Sequence, residues 1–482
     1  MSLQLGRPTA ASPDTVHTGT PKRSAARPAV AVGLVLCGLA LLGVLAAALV
    51  VGGGRPQPPA PGLSDGGPAV GWGLHGATLA VRVTAVVTVG ALALAALLAP
   101  GRGRLVGDGA AGALRAASLG AAAWALAETT RAVLELCLLV GAGPTGLTTA
   151  ALRTYVVDLV PGRTAAAVVA LALVVAVVAA SSRSRAAAGG LLGVALVAVV
   201  LPAVLTGHSA DSGDHLLAVS TLSVHVAAAT LWVGGLLALV VHARGLGDLA
   251  RAADRFSALA LGCFLAVGLS GALAGWLVLG ATVRSPQAVI GSGYGILLVT
   301  KTAALALLGA LGWWHRRRTL PALHAGAPRA FRRLAAGEVA LMLATLAVAV
   351  GLAASPPPAP PATSVPADRP AASGPADDAA GSAEEPQVED MSGHDHGELS
   401  VGILVDDSRF HVAAAMDPGQ VVTVFNGSDT DVTLTADDGS FDLEVRARTL
   451  TTFTAPTASG PHPFTSRHPG AGAGFADVLL VR

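Results

Sequence analysis

Positions 164–181 of the chain read TAAAVVALALVVAVVAAS, a run without a single charged residue. About 20 apolar residues in a helix span the core of a bilayer, so this run has the length and composition of a transmembrane segment. Apolar and polar residues do not alternate along it, which argues against a strand of a membrane β-barrel. Because lipid offers no hydrogen bonds to the backbone, the run is predicted to be a helix.

Eight more runs share this character. Together they predict nine transmembrane helices, at about 28–52, 72–99, 113–140, 164–181, 186–205, 215–242, 256–281, 294–314 and 334–354. The third is the least regular, because Glu128, Arg131 and Glu135 interrupt it with a spacing that predicts an internal ion-pair stripe. After it, residues 145–163 are predicted to lie on the membrane surface or to re-enter it. The predicted fold class is a mainly α multi-pass membrane helix bundle.

The composition supports this class and argues against others. Of 482 residues, 13% are charged and 52% are hydrophobic, whereas soluble domains carry about 25% charged residues. A net charge of +1 gives no electrostatic basis for nucleic-acid binding, so no nucleic-acid partner is expected. The three cysteines lie in apolar runs, which argues against a disulfide scaffold or a cysteine zinc site. The sequence shows no nucleophile elbow or phosphate-binding loop, so the protein is not predicted to be an enzyme.

Basic residues mark alternate loops. They precede the first predicted helix and follow the second, fourth, sixth and eighth, where Arg316, Arg317 and Arg318 stand together. Because cytoplasmic loops are enriched in Lys and Arg, this pattern predicts a cytoplasmic N-terminus and, after nine crossings, an extracytoplasmic C-terminus. The first run is predicted to be a retained helix, since its apolar stretch is longer than that of a usual signal peptide.

The composition changes abruptly after the ninth run. Residues 355–390 are rich in Pro, Ala, Ser, Asp and Glu, which predicts a flexible linker. Seven short β-type runs separated by turn signals follow, at 399–405, 409–415, 420–426, 431–436, 441–445, 450–455 and 476–481, and they predict a small β-sandwich. The predicted organisation is a cytoplasmic tail (1–27), a first helical region (28–206), a second (207–354), a linker (355–397) and the sandwich (398–482).

Ionisable and nitrogen-bearing side chains in the membrane are the first functional candidates, because they are costly there. Imidazole is a favoured ligand of copper, zinc and iron. The predicted metal ligands are the histidines near the outer ends of the second and sixth helices and in the linker, namely His75, His208, His215, His225, His394 and His396. The predicted intramembrane polar or gating residues are Arg82, Trp232, Tyr294, Lys301 and Glu338.

Each candidate also has a structural interpretation. Arg82 and Lys301 are alternatively predicted to reach the membrane surface or backbone carbonyls. Glu338 is alternatively predicted to pair with a nearby arginine, and Trp232 to pack in the core. The histidines of the linker and of the loop before the sixth helix are alternatively predicted to be ordinary solvent-exposed residues. They are His394, His396, His208 and His215.

Residues 207–358 carry several short motifs in a characteristic order. They are Gly207-His208, His225 with Trp232-Val-Gly-Gly235, Arg255-Phe256-Ser257, Ser270-Gly271, Tyr294-Gly295 to Lys301, and Glu338 before Pro356-Pro357-Pro358. In this order they resemble the copper resistance protein D (CopD) family of bacterial membrane proteins. The resemblance implies a protein of the bacterial inner, or plasma, membrane that imports copper or confers copper resistance.

The C-terminal region is similar to a cupredoxin over residues 421–426, 435–442 and 464–481. A cupredoxin binds copper through His, Cys, His and a weak axial Met. The alignment puts Val432 at the first His, Ser466 at the Cys and His468 at the second His, with no Met after it. The resemblance therefore implies the fold without its type 1 copper site. A weaker site formed by His411, His462 and His468 is the alternative.

Three functions stay open at this point. The first is copper handling, in which outward-facing histidines capture the copper ion and an extracytoplasmic copper chaperone is a possible partner. The second is a haem-binding membrane electron-transfer protein, which needs His75 and His225 to face each other at a similar depth. The third is a non-catalytic assembly or sensing subunit whose cupredoxin-like domain docks a partner. The expected partners are therefore the copper ion and the lipid bilayer in which the helices lie.

Overall fold

The computed structural model describes residues 26–57, 66–99, 107–205, 215–246, 248–279, 289–357, 402–405, 409–412, 415–428, 430–447, 449–466 and 475–482. The long helices are α1 (Ala26–Gly52), α2 (Pro68–Ala93), α3 (Asp108–Val140), α5 (Val160–Ser181), α6 (Arg185–Leu205), α7 (His215–His242), α8 (Leu249–Leu279), α9 (Gly293–Trp314) and α11 (Pro328–Ala353). The short helices are α4 (Thr149–Val157) and α10 (Leu320–His324). Two π-helical segments prolong α2 over Leu94–Leu98 and α9 over His315–Thr319.

Every predicted run forms a helix. Among the described residues, 8 helices are long and apolar enough to cross a membrane, one fewer than predicted. The predicted span that is not among these eight is α3. It still runs the length of the bundle: a side chain at Gly73 would meet Leu134, and one at Gly120 would meet Thr88, so α3 lies antiparallel to α2.

The C-terminal region folds into two sheets. Its strands are β1 (Ile403–Val405), β2 (Phe410–Val412), β3 (Val421–Asn426), β4 (Val432–Ala436), β5 (Asp442–Val445), β6 (Leu450–Thr454), β7 (Gly460–Thr465) and β8 (Ala476–Val481). The strand orders are β2-β1-β3-β6 and β5-β4-β7-β8, and only the pairing of β1 with β3 is parallel within these sheets. The apolar core contains Ile403, Val424, Leu434 and Phe464. This two-sheet arrangement is compatible with a cupredoxin-like domain.

The strand missing from the sequence prediction is β7. Its sequence contains Pro461 and Pro463, and proline is typical of edges and turns because it cannot donate a backbone hydrogen bond. The strand nevertheless lies between two others. It pairs with β8 along its whole length but with β4 only at its last two residues, Phe464 and Thr465, beyond the prolines.

The sandwich packs on the end of α3 and on α4. Phe425, at the end of β3, and Leu450, at the start of β6, are each only 4% exposed. They belong to a cluster with apolar residues of the bundle, namely Leu136, Leu139, Val140, Ala151, Tyr155 and Leu159. The end of the bundle that carries this contact is called the sandwich face.

The opposite end of the bundle is called the arginine face. Arg185 at the start of α6 and Arg255 in α8 both donate to the carbonyl of Ala99, just after α2. Arg316, after α9, donates to the carbonyl of Ser257 in α8. Among the described residues, arginines of three of the alternating basic loops, Arg185, Arg255 and Arg316, therefore lie at one end of the bundle.

Candidate functional site

His225 is the predicted metal ligand whose surroundings are best defined. It is half-buried on α7, and its Nδ1 lies 3.0 Å from Oγ of Ser270 on α8. The Ser270 hydroxyl lies 2.5 Å from the carbonyl of Ala266, to which it donates. Ser270 therefore accepts a hydrogen bond from Nδ1–H, and Nε2 keeps its lone pair. This is the tautomer that a metal-binding imidazole requires, with the second nitrogen held by a hydrogen bond.

Lys301 is a charged group that acts on His225. It is half-buried on α9, and its positive charge acts on the His225 ring. An ammonium group at this position would repel a copper ion bound nearby. Lys301 therefore suits a gating role better than that of a ligand.

The crossing of α2 and α7 gives the depths of His75, Arg82 and His225. The helices touch at Gly90 and Gly234, where a Cβ on Gly90 would lie 2.0 Å from the Gly234 carbonyl oxygen. Each helical residue rises about 1.5 Å along the axis, so the distance from this contact towards the sandwich face follows from the number of residues. This distance is about 22 Å for His75, about 12 Å for Arg82 and about 13 Å for His225. Arg82 and His225 are therefore at one level, whereas His75 is about 9 Å nearer the sandwich face. This offset does not suit axial ligation of one haem by both histidines.

The other predicted residues are dispersed. Tyr294 packs beside the apolar cluster of Ala48, Leu297 and Leu352 near the sandwich face. His215 begins α7, but its side chain is outside the description, and His208, His394, His396 and His468 lie outside the described residues. In the part of the chain that the structure describes, no group of three or more His, Cys, Asp or Glu residues is placed to hold a metal ion.

A cleft of about 200 Å³ opens near the arginine face, between α7, α8, α9 and α11. Trp232 lines it and packs edge-to-face on Phe264, with ring centroids 5.7 Å apart. Glu338 also lines it and is 4% exposed. Its partner is not the arginine of the alternative prediction: Oε2 lies 3.0 Å from Nε2 of His315. His315 is not among the residues predicted from the sequence, because a histidine beside three arginines is typical of a basic loop.

The ion-pair stripe of α3 is confirmed. Arg131 bonds to Glu128 at 2.7 Å and to Glu135 at 3.0 Å, and the hydroxyl of Tyr155 on α4 bonds to Glu135 at 2.5 Å. These contacts join α4 to α3 beneath the sandwich. The charges satisfy one another, so the stripe has a structural role.

The sandwich lacks the donors of a type 1 copper site. The Ser466 hydroxyl accepts from the backbone N–H of Thr433 at 3.3 Å, which places the Cys position beside Val432, the first-His position. Neither side chain supplies the imidazole or thiolate that the site requires. Among the described residues, the two ligand positions that can be inspected therefore do not fit copper.

His462 is also unsuited to the weaker copper site. Its Nδ1 lies 2.5 Å from Oδ2 of Asp438, and its Nε2 lies 2.9 Å from the carbonyl oxygen of Ala458. Both nitrogens donate, so the ring is charged and has no lone pair for a metal. The hydrogen bonds to Ala458 and then Asp438 raise the pKa of His462, and hydrogen bonds from Ser440 followed by His462 lower the pKa of Asp438 to about 2.

Comparison with known proteins identifies one part of the bundle. No curated protein and no solved structure matches the chain significantly. Residues 250–352 match the family model of copper resistance protein D. The match begins in α8 and ends in α11, so it contains Ser270, Lys301, His315 and Glu338 but not His225. Residues 250–352 are therefore a CopD domain within a larger membrane helix bundle.

Proposed function

We propose that this chain takes up copper across a bacterial plasma membrane, with His225 as the intramembrane residue that receives the ion. The CopD domain supports copper handling by a membrane protein as the general function. His225 carries the more specific proposal, because it contacts Ser270 of the matched segment and presents a free Nε2. No enzymatic role is proposed.

The proposed orientation puts the arginine face in the cytoplasm. Arg185, Arg255 and Arg316 lie there, and short loops rich in arginine are retained on the cytoplasmic side. The sandwich and the outer ends of α2 and α7 then lie outside. His75, His208 and His215, together with the linker pair His394 and His396, are proposed to gather copper on that side, with an extracytoplasmic copper chaperone as the supplier.

Arg82 and Lys301 are proposed to control passage at the level of His225. Two cations at the depth of the imidazole would disfavour a metal ion that stays bound, so they would keep copper from accumulating in the middle of the membrane. Tyr294 stands nearer the outer end of the same helix as Lys301 and is proposed to support its position.

The test is copper accumulation in cells that express the His225→Ala variant. We expect copper content to fall towards that of cells without the protein, since no other described residue presents an imidazole at this level on α7. The matched control is His242→Ala on the same helix, whose Nδ1 bonds to the carbonyl of Ala238 at the arginine face. Normal copper content in His225→Ala cells, at equal protein level in the membrane, would contradict the proposal.

The haem alternative has a separate test. The offset between His75 and His225 along α2 and α7 gives it no geometric support. An absorption spectrum of the purified protein with a Soret band that disappears in His225→Ala would nevertheless favour it over copper uptake.

A further inference from the structure

The pair of His315 and Glu338 is buried at the arginine face, with exposures of 8% and 4%. The tautomer of His315 follows from its neighbour Thr319. The Thr319 hydroxyl donates to the carbonyl of His315 at 3.1 Å, so at 2.6 Å it accepts a hydrogen bond from Nδ1–H. Nε2 is therefore the nitrogen turned towards Glu338.

The contact between His315 and Glu338 does not have the geometry of a hydrogen bond. Nε2 lies 3.0 Å from Oε2, yet this buried nitrogen has no aligned hydrogen-bond partner. A shared proton requires N–H to point nearly along the line to the oxygen. Two ligand atoms that each lie about 2.0–2.2 Å from the same transition-metal ion are also about 3 Å apart. Their lone pairs point to the ion, which lies to one side of the line that joins the two atoms. The 3.0 Å separation without an aligned hydrogen bond is compatible with the second case.

We propose that His315 Nε2 and Glu338 Oε2 form a transition-metal site that opens into the cleft at the arginine face. Copper is the metal of interest only because of the proposed function, on which this choice rests. Imidazole nitrogen and carboxylate oxygen suit Cu(II), and the hydrogen bond from Nδ1–H to Thr319 is the support that metal-binding histidines usually have.

The surroundings make this a transfer site rather than a storage site. Two protein ligands leave the remaining coordination positions open to the cleft, where an incoming ligand can reach the ion. Arg316 also lines the cleft, but its guanidinium group is engaged by the carbonyl of Ser257. The negative charge of Glu338 compensates part of the charge of the ion. His315 also begins a π-helical segment, a feature frequent at functional sites.

The test is Cu(II) binding by the purified full chain, measured by equilibrium dialysis and elemental analysis. The decisive variant is Glu338→Gln, which keeps the size of the side chain and removes its charge. We expect it to weaken binding of one copper ion per chain by more than about tenfold, a loss that even outer-shell changes can produce. The control His242→Gln, a histidine at the same face, should bind as the unmodified chain does. Unchanged stoichiometry and affinity in folded Glu338→Gln would overturn the site.

A second measurement uses the unmodified chain. Diethyl pyrocarbonate modifies free imidazole nitrogens, and mass spectrometry assigns the modification to individual peptides. Copper should protect His315 and leave His242 unaffected; equal modification of His315 with and without copper would overturn the site. Normal binding in Glu338→Gln together with lost uptake in His225→Ala would refute the inner site while leaving the proposed function in place.

Discussion

Substitution of Phe425 by Ala should release the sandwich from the bundle without unfolding it. Phe425 is 4% exposed, and it packs with Leu136, Val140 and Tyr155 of the bundle rather than within the sandwich core. The lost contacts therefore belong to the contact between the two parts of the chain. Val421→Ala is the matched control, because Val421 lies on the same strand and is 60% exposed.

The size of the effect follows from the buried area of the side chain. Burial of a Phe side chain contributes about 1.5–3 kcal/mol, and Ala recovers only a small part of it. Since about 1.4 kcal/mol changes an equilibrium tenfold, the undocked population should rise by roughly 10-fold to 150-fold. Leu450 forms the other half of the contact, so docking is weakened rather than abolished.

Hydrogen–deuterium exchange of the full chain measures this change directly. Peptides from α4 (Thr149–Val157), which the sandwich covers, should exchange faster in Phe425→Ala. Peptides from β4 (Val432–Ala436), in the sandwich core, should keep their protection. Unchanged exchange in α4 would refute the docking contact, and lost protection in β4 would show that Phe425 supports the sandwich itself.

Two further predictions concern stability. Gly234→Ala should lower the thermal midpoint of the bundle, because its Cβ would lie 2.4 Å from the carbonyl oxygen of Val86 and overpacking costs about 1–3 kcal/mol. The control is Gly262→Ala, whose Cβ would meet nothing within 4 Å and should leave the midpoint unchanged. Equal midpoints for both variants would count against the helix crossing. The contact of His462 with Asp438 should stabilise the sandwich most between pH about 4 and 6.5. Because the pKa of His462 is raised, the stabilisation from the charged imidazole is lost as the pH rises through that pKa. Because the pKa of Asp438 is lowered, the stabilisation from the carboxylate is lost only as the pH falls towards about 2. The measurement is hydrogen exchange of the β7 amides between pH 6 and 9, corrected for the intrinsic exchange rate. Protection of these amides should fall with rising pH in the unmodified chain but not in His462→Gln. Equal pH profiles for the two proteins would exclude the contact.

The helices were predictable because membrane helices depend on local properties of the sequence. Apolar runs in lipid have one way to satisfy their backbone, so hydropathy alone predicts the helices. Prediction failed where tertiary contacts decide. β7 was not predicted, because it forms despite its prolines only where β8 supplies a complete partner strand. The ion pairs of α3 were predicted, since Glu128 and Glu135 lie three and four residues from Arg131 along one helix.

The candidate site was predictable to the level of single helices. Helical spacing puts His225 and Trp232 on one face of α7, and both contact α8, through Ser270 and Phe264. Which residue of a neighbouring helix stands opposite depends on packing, which the spacing along one helix does not contain. The partnership of His315 with Glu338 was missed for this reason, since it joins the end of α9 to the body of α11.

The placement of sulfur in the described residues bears on the oxidation state of the copper. Cu(I) favours thiolate and thioether ligands, whereas imidazole and carboxylate suit Cu(II). Cys37 is exposed on α1 among other exposed apolar side chains. The other sulfurs of the bundle are buried: Cys263 and Met342 are 7% and 2% exposed within the apolar core, and Cys137 is fully buried near the sandwich face. To reach these buried sulfurs, an ion would have to displace packed side chains. In contrast, His225 presents a nitrogen at the contact of α7 with α8, and the pair of His315 and Glu338 presents a nitrogen and an oxygen at the cleft. We therefore expect the chain to carry Cu(II), or copper that a partner delivers with its own sulfur ligands.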